Sequence, residues 1–522
     1  MTERVQGNAG VTSAVPYEGE ASQREIRAVF LGLMIVMALG AIDQSIVATA
    51  LPRIVGELGG VTHLAWVVTA YVLASTATMP LYGKLSDQYG RKPVLYAAIL
   101  IFLLGSVMSG AAHSLMQLIV FRAIQGLGAG GLLPLSQIII GDLVPPAQRG
   151  RRQGAIVAVF AVCSVVGPVL GGVITDLLSW HWIFYVNLPI GAVALAVIAR
   201  TLRRTHLTQT RRIDYLGALL LTAGTTAFLL VLALGGSEWP WVSQQIGVSC
   251  AAAAGLAMLF VLHVRRTPEP VLPLDLFHNR VFVVACAVLA LTFMGMLGAS
   301  LFFPLFFQVV IGISASHSGF LTGPLMVGVV ISSVFNGRVL LRSGRYKSTQ
   351  IVGLAVAVAS FGVLAWGVGA AQALTVIEPA MFALGLGLGL VMPNMTIAVQ
   401  NALPAAHRGV GTATLAFFRS LGGLIGVTGS GAILARELHI TMKATSTTSI
   451  GTSSLRGSGF QAVAALSPEA HVAVIAIYRH AIATVFTTGV CVVALALIVI
   501  LFLPEVPLRT HHTPSDRAHP TS

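Results

Sequence analysis

Residues 83–92 read GKLSDQYGRK and join two apolar runs of the chain, 63–83 and 93–112. Each run is about as long as a membrane-spanning helix, which needs about 20 mainly apolar residues. A second segment at 337–346 reads GRVLLRSGRY and repeats the glycines and basic residues 254 positions later. A charged turn between two apolar runs, occurring twice, predicts a polytopic membrane protein with an internal repeat.

The composition points to the same class of protein. The 522 residues are 56% hydrophobic and 9% charged, whereas soluble domains are about 25% charged. Soluble enzymes and single-pass receptors are therefore excluded. Fourteen apolar runs are long enough to cross a bilayer. These runs are 28–50, 63–83, 93–112, 115–142, 153–176, 181–199, 213–234, 244–264, 281–310, 317–339, 350–369, 374–398, 410–435 and 478–503.

The distribution of basic residues predicts the orientation. Most of the 31 Lys and Arg fall in loops on one side when the N-terminus is cytoplasmic, so the positive-inside rule places both termini in the cytoplasm. All six Trp then lie near the outer interface, where aromatic residues are favoured. The excess of Arg over Lys hints at a bacterium, and we expect its cytoplasmic membrane. The basic charges are too dispersed for nucleic-acid binding, and the four Cys suggest neither disulfide nor metal site.

A second repeated segment fixes the domain organisation. Residues 144–150 read VPPAQRG and residues 403–409 read LPAAHRG, 259 positions apart. The two offsets map the second and fourth runs onto the tenth and twelfth. The sequence thus predicts an all-α fold of two six-helix bundles plus two inserted helices. The segments are a tail (1–27), the first bundle (28–200), the insertion with linkers (201–280), the second bundle (281–503, with an outer loop at 436–477) and a tail (504–522).

Five ordered motifs carry a family resemblance. They are AIDQSIVATALP at 41–52, GKLSDQYGRK at 83–92, RAIQGLGAG at 122–130, GPVLGG at 167–172 and WHWIFYVNLPIG at 180–191. With the parallel six-helix repeat, they make the chain similar to the major facilitator superfamily and, within it, to the fourteen-span drug:H+ antiporters (EmrB/QacA-like multidrug exporters). The resemblance implies export of drugs in exchange for protons. It also implies an antiporter motif of Gly167, Pro168, Gly171 and Gly172.

No nucleotide or dinucleotide chemistry is indicated. The chain has no Gly-x-x-x-x-Gly-Lys-Ser/Thr segment, so we expect neither ATP hydrolysis nor a cofactor, and no enzyme activity. Residues 126–131 fit Gly-x-Gly-x-x-Gly, but they lie inside an apolar helix and follow no strand. Close helix packing explains these small residues better, and the same interpretation applies to Gly167 and Gly171.

Two ionisable residues within the apolar runs suggest the coupling site. Asp43 and Arg122 each lie about 12 to 14 Å inside the outer boundary, at 1.5 Å per residue. A charge at the bilayer centre costs about 2.5 to 3.5 kcal/mol, and a nearby cation changes the proton affinity of a carboxylate. We predict proton coupling by Asp43 and Arg122, with a static ion pair between two helices as the alternative.

A second charged group lies at the predicted cytoplasmic surface. Asp87 and Arg91 are four residues apart, and Asp142 ends the fourth run on the same side. With Gly83 and Gly90 they form a predicted conformational latch. By resemblance, Asp87 faces the positive N-terminal end of a second-half helix that begins near 409–411, and this contact stabilises the outward-open state.

The substrate cavity is the least specified feature. Its candidates lie at midplane depth and combine amide, aromatic and soft side chains that suit apolar ligands. They are Gln44, Tyr71, Gln125, Asn394, Met395, Phe418 and Arg419. Arg419 is the lone charge within the second half's runs, and an anion, a backbone carbonyl or a carboxylate could be its partner. Packing within the bundle is the alternative for each candidate.

The sequence favours a monomeric secondary exporter of amphiphilic or cationic drugs. It does not separate drugs from an endogenous metabolite, antibiotic, siderophore or lipid precursor carried by the same mechanism. A non-transporting membrane receptor or scaffold is a more remote alternative. The expected partners are small molecules, protons and the lipid bilayer.

Overall fold

The protein is helical throughout the part of the chain that its computed structural model describes. This part comprises residues 23–58, 65–144, 146–202, 214–235, 239–300, 302–313, 315–343, 346–404, 407–444 and 468–505. Most of the two predicted tails and the centre of the predicted outer loop lie outside these ranges.

Seven helices form the first half. They are α1 (Gln23–Leu58), α2 (Ala65–Tyr89), α3 (Arg91–Gly110), α4 (Leu115–Leu143), α5 (Pro146–Leu177), α6 (Trp182–Tyr185) and α7 (Asn187–Thr201). The short α6 continues almost directly into α7, so the two together occupy the sixth predicted run.

Two inserted helices and a second bundle follow. The inserted pair is α8 (Tyr215–Leu234) and α9 (Gln244–Val264). The second bundle comprises α10 (Arg280–Ser300), α11 (Phe302–Leu305), a π-helical turn (Phe306–Val310), α12 (Ala315–Leu321), α13 (Gly323–Ser343), α14 (Lys347–Gly369), α15 (Leu374–Ala402), α16 (Arg408–Ala444) and α17 (Pro468–Leu501).

Within the described ranges, thirteen helical segments are long and apolar enough to cross a membrane. Helix α2 is 25 residues long but contains several Ser and Thr residues with Lys84 and Asp87, and it is not among the thirteen. The apolar spans on either side of the predicted outer loop, 436–477, end at Leu434 and begin at Val474. Helix α16 continues to Ala444 and α17 begins at Pro468, because polar residues extend these helices beyond their apolar runs.

Helix packing confirms the internal repeat. In the first half α4 packs against α2 and α3, and α1 packs against α5. In the second half α15 packs against α13 and α14, and α10 packs against α16 in the same way. Repeated glycines permit the close approach: a Cβ at Gly126 would overlap the backbone of α2, and one at Gly385 would overlap the backbone of α13. These positions are 259 residues apart, as the sequence offset requires.

The repeated arginine in VPPAQRG and LPAAHRG has a structural role. Arg149 donates from Nε to the carbonyl oxygen of Val144 at 2.7 Å, and Arg408 donates from Nε to Leu403 at 3.4 Å. Both arginines therefore turn back onto the last carbonyls of the preceding helix, α4 or α15, which have no partner within the helix. Burial lowers the pKa of Arg149, and the positive charge of Arg408 lowers it further.

A repeated lysine joins the ends of each bundle. Lys92, in the first turn of α3, donates from Nζ to the carbonyl oxygen of Leu202 at 2.5 Å, at the end of α7. Lys347, at the start of α14, donates to Leu501 at the end of α17 at 2.8 Å. A cation at a helix C-terminus is favoured by the helix dipole. We call the side of the protein that carries these lysines and arginines the basic end.

The two halves meet along α2 with α16 and α5 with α13. They also meet at the basic end, where Gln400 of α15 donates from Nε2 to the carbonyl oxygen of Gln137 of α4 at 3.1 Å. The inserted helices α8 and α9 pack against each other, and α8 contacts α2 and α16. The insertion therefore lies beside the boundary between the bundles.

Candidate functional site

Asp43 and Arg122 form an ion pair in the interior of the first bundle. The Nη1 atom of Arg122 lies 2.8 Å from Oδ2 of Asp43. Both side chains are almost completely buried, with exposures of 0% and 1%. Asp43 lies in the middle of α1 and Arg122 in the N-terminal half of α4. The two charges are 79 residues apart in the chain, and the similar depth predicted for them from the sequence fits this contact.

Two amides complete the coordination of the Asp43 carboxylate. Gln125 donates from Nε2 to Oδ1 at 2.8 Å, and Asn187 donates from Nδ2 to the same oxygen at 2.9 Å. Asn187 also donates to Oγ of Ser106 at 3.0 Å, and Arg122 donates to Oε1 of Gln125 at 2.8 Å. All three contacts to the carboxylate are donated, which suits an ionised, acceptor-only side chain. Four helices, α1, α3, α4 and α7, meet at this cluster.

Aromatic rings enclose the cation of the pair. The Cζ atom of Arg122 lies 4.1 Å from the ring centroid of Tyr71 and 5.8 Å from that of Phe184. Tyr71 and Phe184 are themselves buried. Contacts of this kind are worth more when the cation is desolvated. Tyr71 and Gln125, which the sequence suggested for a substrate cavity, thus lie against the ion pair.

The glycines of the predicted antiporter motif pack α5 against the helix that carries Asp43. A Cβ at Gly167 would overlap the side chain of Ser45, and one at Gly171 would overlap Thr49 and the carbonyl oxygen of Ile46. Gly172, in contrast, faces open space. Pro168 lies inside α5, which continues through it. Two of the three glycines therefore set the distance between α1 and α5.

The predicted latch residues meet at the basic end. Arg91 lies between two carboxylates, with Nη1 2.5 Å from Oδ1 of Asp87 and Nε 2.9 Å from Oδ2 of Asp142. The other Asp87 oxygen accepts a hydrogen bond from the backbone N–H of Val410 at 3.0 Å. Val410 lies in the first turn of α16, where unpaired N–H groups and the helix dipole attract an anion. The cluster therefore joins the first half to the second.

Two glycines permit the backbone conformation and the close helix contact next to this cluster. Gly90 has a φ of 90°, a conformation that L side chains rarely adopt, and this residue separates α2 from α3. A Cβ at Gly83 would lie 2.6 Å from the Cβ of Ala413 and 2.8 Å from the carbonyl oxygen of Gly409. Glycine at 83 thus lets α2 and α16 touch next to Asp87.

Asn394 and Met395 lie in the packed interior of the second bundle. Asn394 exchanges hydrogen bonds with Asn336 at 2.9 and 3.1 Å and donates to Thr349 at 3.2 Å. Both Asn394 and Met395 have 0% exposure. The asparagine links α13, α14 and α15, and neither residue borders an accessible surface in this conformation.

The remaining cavity candidates are more accessible. Gln44 is exposed on α1, and Phe418 is partly buried, with its ring edge-on to Phe277 at 6.4 Å. Arg419 is also partly buried, and its Cζ lies 5.2 Å from the ring centroid of Phe293. The structure does not bring these three residues into one group.

The sequence did not predict the hydrogen bond that the Asn187 amide donates to Asp43. Asn187 belongs to the run WHWIFYVNLPIG at 180–191, which was noted as a motif without a role for any member. An uncharged polar residue in a membrane helix was the available signal, since such groups need a partner in the bundle. Asn336, Gln400 and Gln137 could have been found by the same signal.

Comparison with known proteins identifies the family. A family model described as "Major Facilitator Superfamily" matches residues 33–427. The chain belongs to the major facilitator superfamily. It is therefore a multi-pass membrane transporter and not an enzyme. The match begins within α1 and ends within α16, so it includes the Asp43 cluster and both sides of the Asp87 contact.

Relatives within the superfamily include named multidrug transporters. "Multidrug transporter protein MdtP" of Bacillus subtilis is 38% identical over 418 residues, covering 80% of this chain and 76% of that protein. "Multidrug resistance protein 3" of the same organism is 38% identical over 410 residues, covering 78% and 79%. An uncharacterized MFS-type transporter of Mycobacterium tuberculosis, Rv1877, is 34% identical over 494 residues, covering 94% and 71%.

Solved structures show the same fold at low sequence identity. The human organic anion transporter MFSD10 has a TM-score of 0.62 at 15% identity, covering 91% of this chain and 99% of that one. The proton:xylose symporter XylE has a TM-score of 0.61 at 14% identity, covering 93% and 97%. At such identities the likeness extends to the major facilitator fold alone.

Proposed function

We propose that this transporter exports amphiphilic or cationic drugs in exchange for protons, by alternating access. The observation that carries the proposal is the Asp43 carboxylate, fully buried in mid-helix and held by Arg122, Gln125 and Asn187. A titratable group in such a place is costly unless it has a function or a partner. The multidrug names of the relatives support the choice of drugs as cargo.

Protonation of Asp43 supplies a mechanism for coupling. A proton on the carboxylate removes its charge, and with it the attraction to Arg122 and at least one of its acceptor positions. The helices that converge on Asp43 are then free to rearrange. Helix α1 carries this change to α5 through the glycine contacts at Gly167 and Gly171, and α5 packs against α13 of the second half.

The contacts at the basic end define one of the two access states. Asp87 with Val410 and Gln400 with Gln137 join the halves there, which supports an outward-open assignment if the basic end is cytoplasmic. We place both termini and the basic end in the cytoplasm of a bacterium, because basic loops stay inside. Helix α2 then crosses the membrane as well, which gives fourteen spans in a monomer that needs no cofactor.

The driving force is sufficient for drug export. A membrane potential contributes about 2.3 kcal/mol per proton per 100 mV. One proton per uncharged drug molecule therefore supports a concentration gradient of roughly fiftyfold. Exchange of one proton for one monovalent cationic drug moves no net charge, so export of a cation draws on the pH gradient or on a second proton. In this cycle Asp43 takes up a proton from the outer side and releases it to the cytoplasm, while the drug moves in the opposite direction.

Reconstitution into liposomes tests the proposal. Substrate-induced proton movement and drug export are measured for the wild type and for Asp43→Asn, which keeps the shape of the side chain and removes its titration. Asp176→Asn is the matched control, because Asp176 pairs with Arg53 at an exposed position. We expect Asp43→Asn to lose proton-driven export and Asp176→Asn to keep it. Full proton-driven export by Asp43→Asn would refute the assignment.

A further inference from the structure

Arg419 is a membrane-embedded cation without a counter-charge in the described part of the chain. It lies eleven residues after the start of α16, about 16 Å along the helix axis, which is close to half of the roughly 30 Å hydrocarbon core. Its Cζ atom lies over the Phe293 ring, 5.2 Å from the ring centroid. No described carboxylate or carbonyl oxygen accepts a hydrogen bond from it.

The described membrane helices offer no free acid at this depth. Asp43 is the described acidic residue in the middle of a membrane helix, and its oxygens are already held by Arg122, Gln125 and Asn187. Every other acidic residue of the described membrane helices lies within about two turns of a helix end. An uncompensated arginine at the bilayer centre costs about 2.5 to 3.5 kcal/mol on insertion scales. A ligand with an opposite charge would offset this cost.

Arg419 faces α10 of the second half, where its Cζ lies over the Phe293 ring, and its neighbour Ser420 faces α2 of the first half. Thr412 is two turns nearer the basic end on the same face, since seven residues correspond to about two helical turns. There Thr412 accepts a hydrogen bond from Gln400, which also donates to Gln137 of α4. The next residue along, Ser420, lies 3.1 Å from Thr76 of α2. Arg419 therefore lies next to the boundary between the bundles, about two helical turns from the contacts at the basic end.

We propose that Arg419 and Phe293 form a subsite for the acidic group of an amphiphilic aromatic or aliphatic carboxylic acid. The ring contact uses none of the guanidinium N–H groups, and paired N–H groups match the two oxygens of a carboxylate. The apolar part of the ligand would lie along the boundary between the bundles. A lipid headgroup is a poor match, because headgroups lie about 15 Å from the midplane.

This subsite extends the proposed export function to acids in addition to cationic and neutral amphiphiles. Binding of acidic cargo would then depend on the charge of Arg419 and not on the protonation of Asp43. Binding at equilibrium, without a proton gradient, therefore tests the subsite separately from the coupling mechanism.

The subsite is tested with three pyrene probes that differ only in the terminal group of the side chain. They are 1-pyrenebutyrate, 1-pyrenebutanol and (1-pyrenebutyl)trimethylammonium, and their binding to the purified protein in neutral detergent is measured by fluorescence anisotropy. We expect Arg419→Gln to weaken binding of the carboxylate about 10- to 100-fold and to leave the alcohol within about twofold. The ammonium probe should bind Arg419→Gln at least as well as wild type.

Arg419→Lys separates charge from geometry. We expect an intermediate loss of carboxylate binding, because lysine keeps the charge and loses the paired N–H groups. Thr428→Ala, which on the same helix removes only hydrogen bonds to the carbonyl oxygens of Leu424 and Ile425, should leave all three probes unchanged. Comparison of the carboxylate with the alcohol on Arg419→Lys keeps the test decisive if Arg419→Gln does not fold.

Three results would overturn the subsite. They are carboxylate binding by Arg419→Gln equal to wild type, an equal loss of all three probes, and no carboxylate binding by the wild type. An equal loss would mean that Arg419 holds the helices together. The proposed proton coupling has its own test, since Asp43→Asn should bind the carboxylate normally and fail only in proton-driven export.

Discussion

The backbone N–H of Val410 donates to the Oδ2 atom of Asp87 at 3.0 Å, across the boundary between the two halves of the transporter. The two residues are 323 positions apart in the chain. Arg91 holds the other oxygen of the same carboxylate. The Asp87 side chain therefore pairs with Arg91 in the first half and also balances the positive N-terminal end of α16 in the second.

We expect Asp87→Asn to open the basic end. Asparagine removes the negative charge from the helix terminus and from Arg91, a loss of about 1 to 2 kcal/mol in a partly buried setting. This changes the ratio of open to closed molecules about 5- to 30-fold. Spin labels at Tyr89 and Pro404, both exposed, measure the distance across the basic end in a background without the native cysteines.

Asp142→Asn is the matched control for this measurement. It removes one partner of Arg91 and leaves the bond from Val410 to Asp87 in place. Its distance distribution should stay closer to that of the wild type. Identical distributions for the wild type and Asp87→Asn would show that the contact does not hold the basic end closed.

Gly409→Ala should open the same end from the other side. A Cβ at Gly409 would overlap the carboxylate of Asp87, so the methyl group separates the acid from the N-terminus of α16. Gly429→Ala on the same helix is the control, because a Cβ there meets no atom within 4 Å. Spin-label distances should widen for the first variant and not for the second. Equal distances would contradict the steric argument.

Gly171→Ala and Gly172→Ala should differ although the residues are adjacent. A methyl group at Gly171 must displace Thr49 or the backbone at Ile46, whereas Gly172 faces open space. Overpacking of this kind costs about 1 to 3 kcal/mol, and an unopposed surface change stays within about 0.5 kcal/mol. Thermal unfolding in detergent and drug export should both be impaired in the first variant alone. Equal unfolding midpoints would show that α1 and α5 tolerate a larger separation.

The sequence predicts those features that depend only on the position of a residue along its helix, such as its depth in the membrane. Depth follows from counting residues at 1.5 Å each, and this placed Asp43 and Arg122 in one layer, where the structure pairs them. The same repeat offsets that related Gly126 to Gly385 describe equivalent helix contacts. The fold could be predicted because apolar length and charged turns are properties of each helix alone.

The rotation of each helix about its axis could not be predicted. Membrane helices face lipid on one side and protein on the other, and both surroundings are apolar, so periodicity does not distinguish them. Tyr71, Gln125 and Asn394 were therefore grouped with a substrate cavity, whereas the structure places two of them on the ion pair and the third in an amide network. The sequence also did not predict that α16 continues to Ala444 and that α17 begins at Pro468. Polar residues beyond an apolar run do not show where a helix begins or ends.

The role of Asn187 can be separated from its packing by one matched substitution. Asn187 and Asn394 are both fully buried, and each donates hydrogen bonds within its bundle. Asn187 faces a carboxylate, whereas Asn394 faces neutral groups. Leucine has a similar size and donates nothing, so Asn187→Leu removes a bond to a charged group, worth about 1.5 to 3 kcal/mol, and Asn394→Leu removes neutral bonds.

We expect both variants to unfold at lower temperature and only Asn187→Leu to change coupling. Without Asn187 the Asp43 carboxylate loses one of its three donors, so coupling through Asp43 weakens and fewer protons move per drug molecule. That ratio is measured in liposomes by following pH and drug together. Asn394→Leu should lower the amount of folded protein and keep the wild-type ratio. If both variants kept that ratio, Asn187 would serve only to hold α7 against α1.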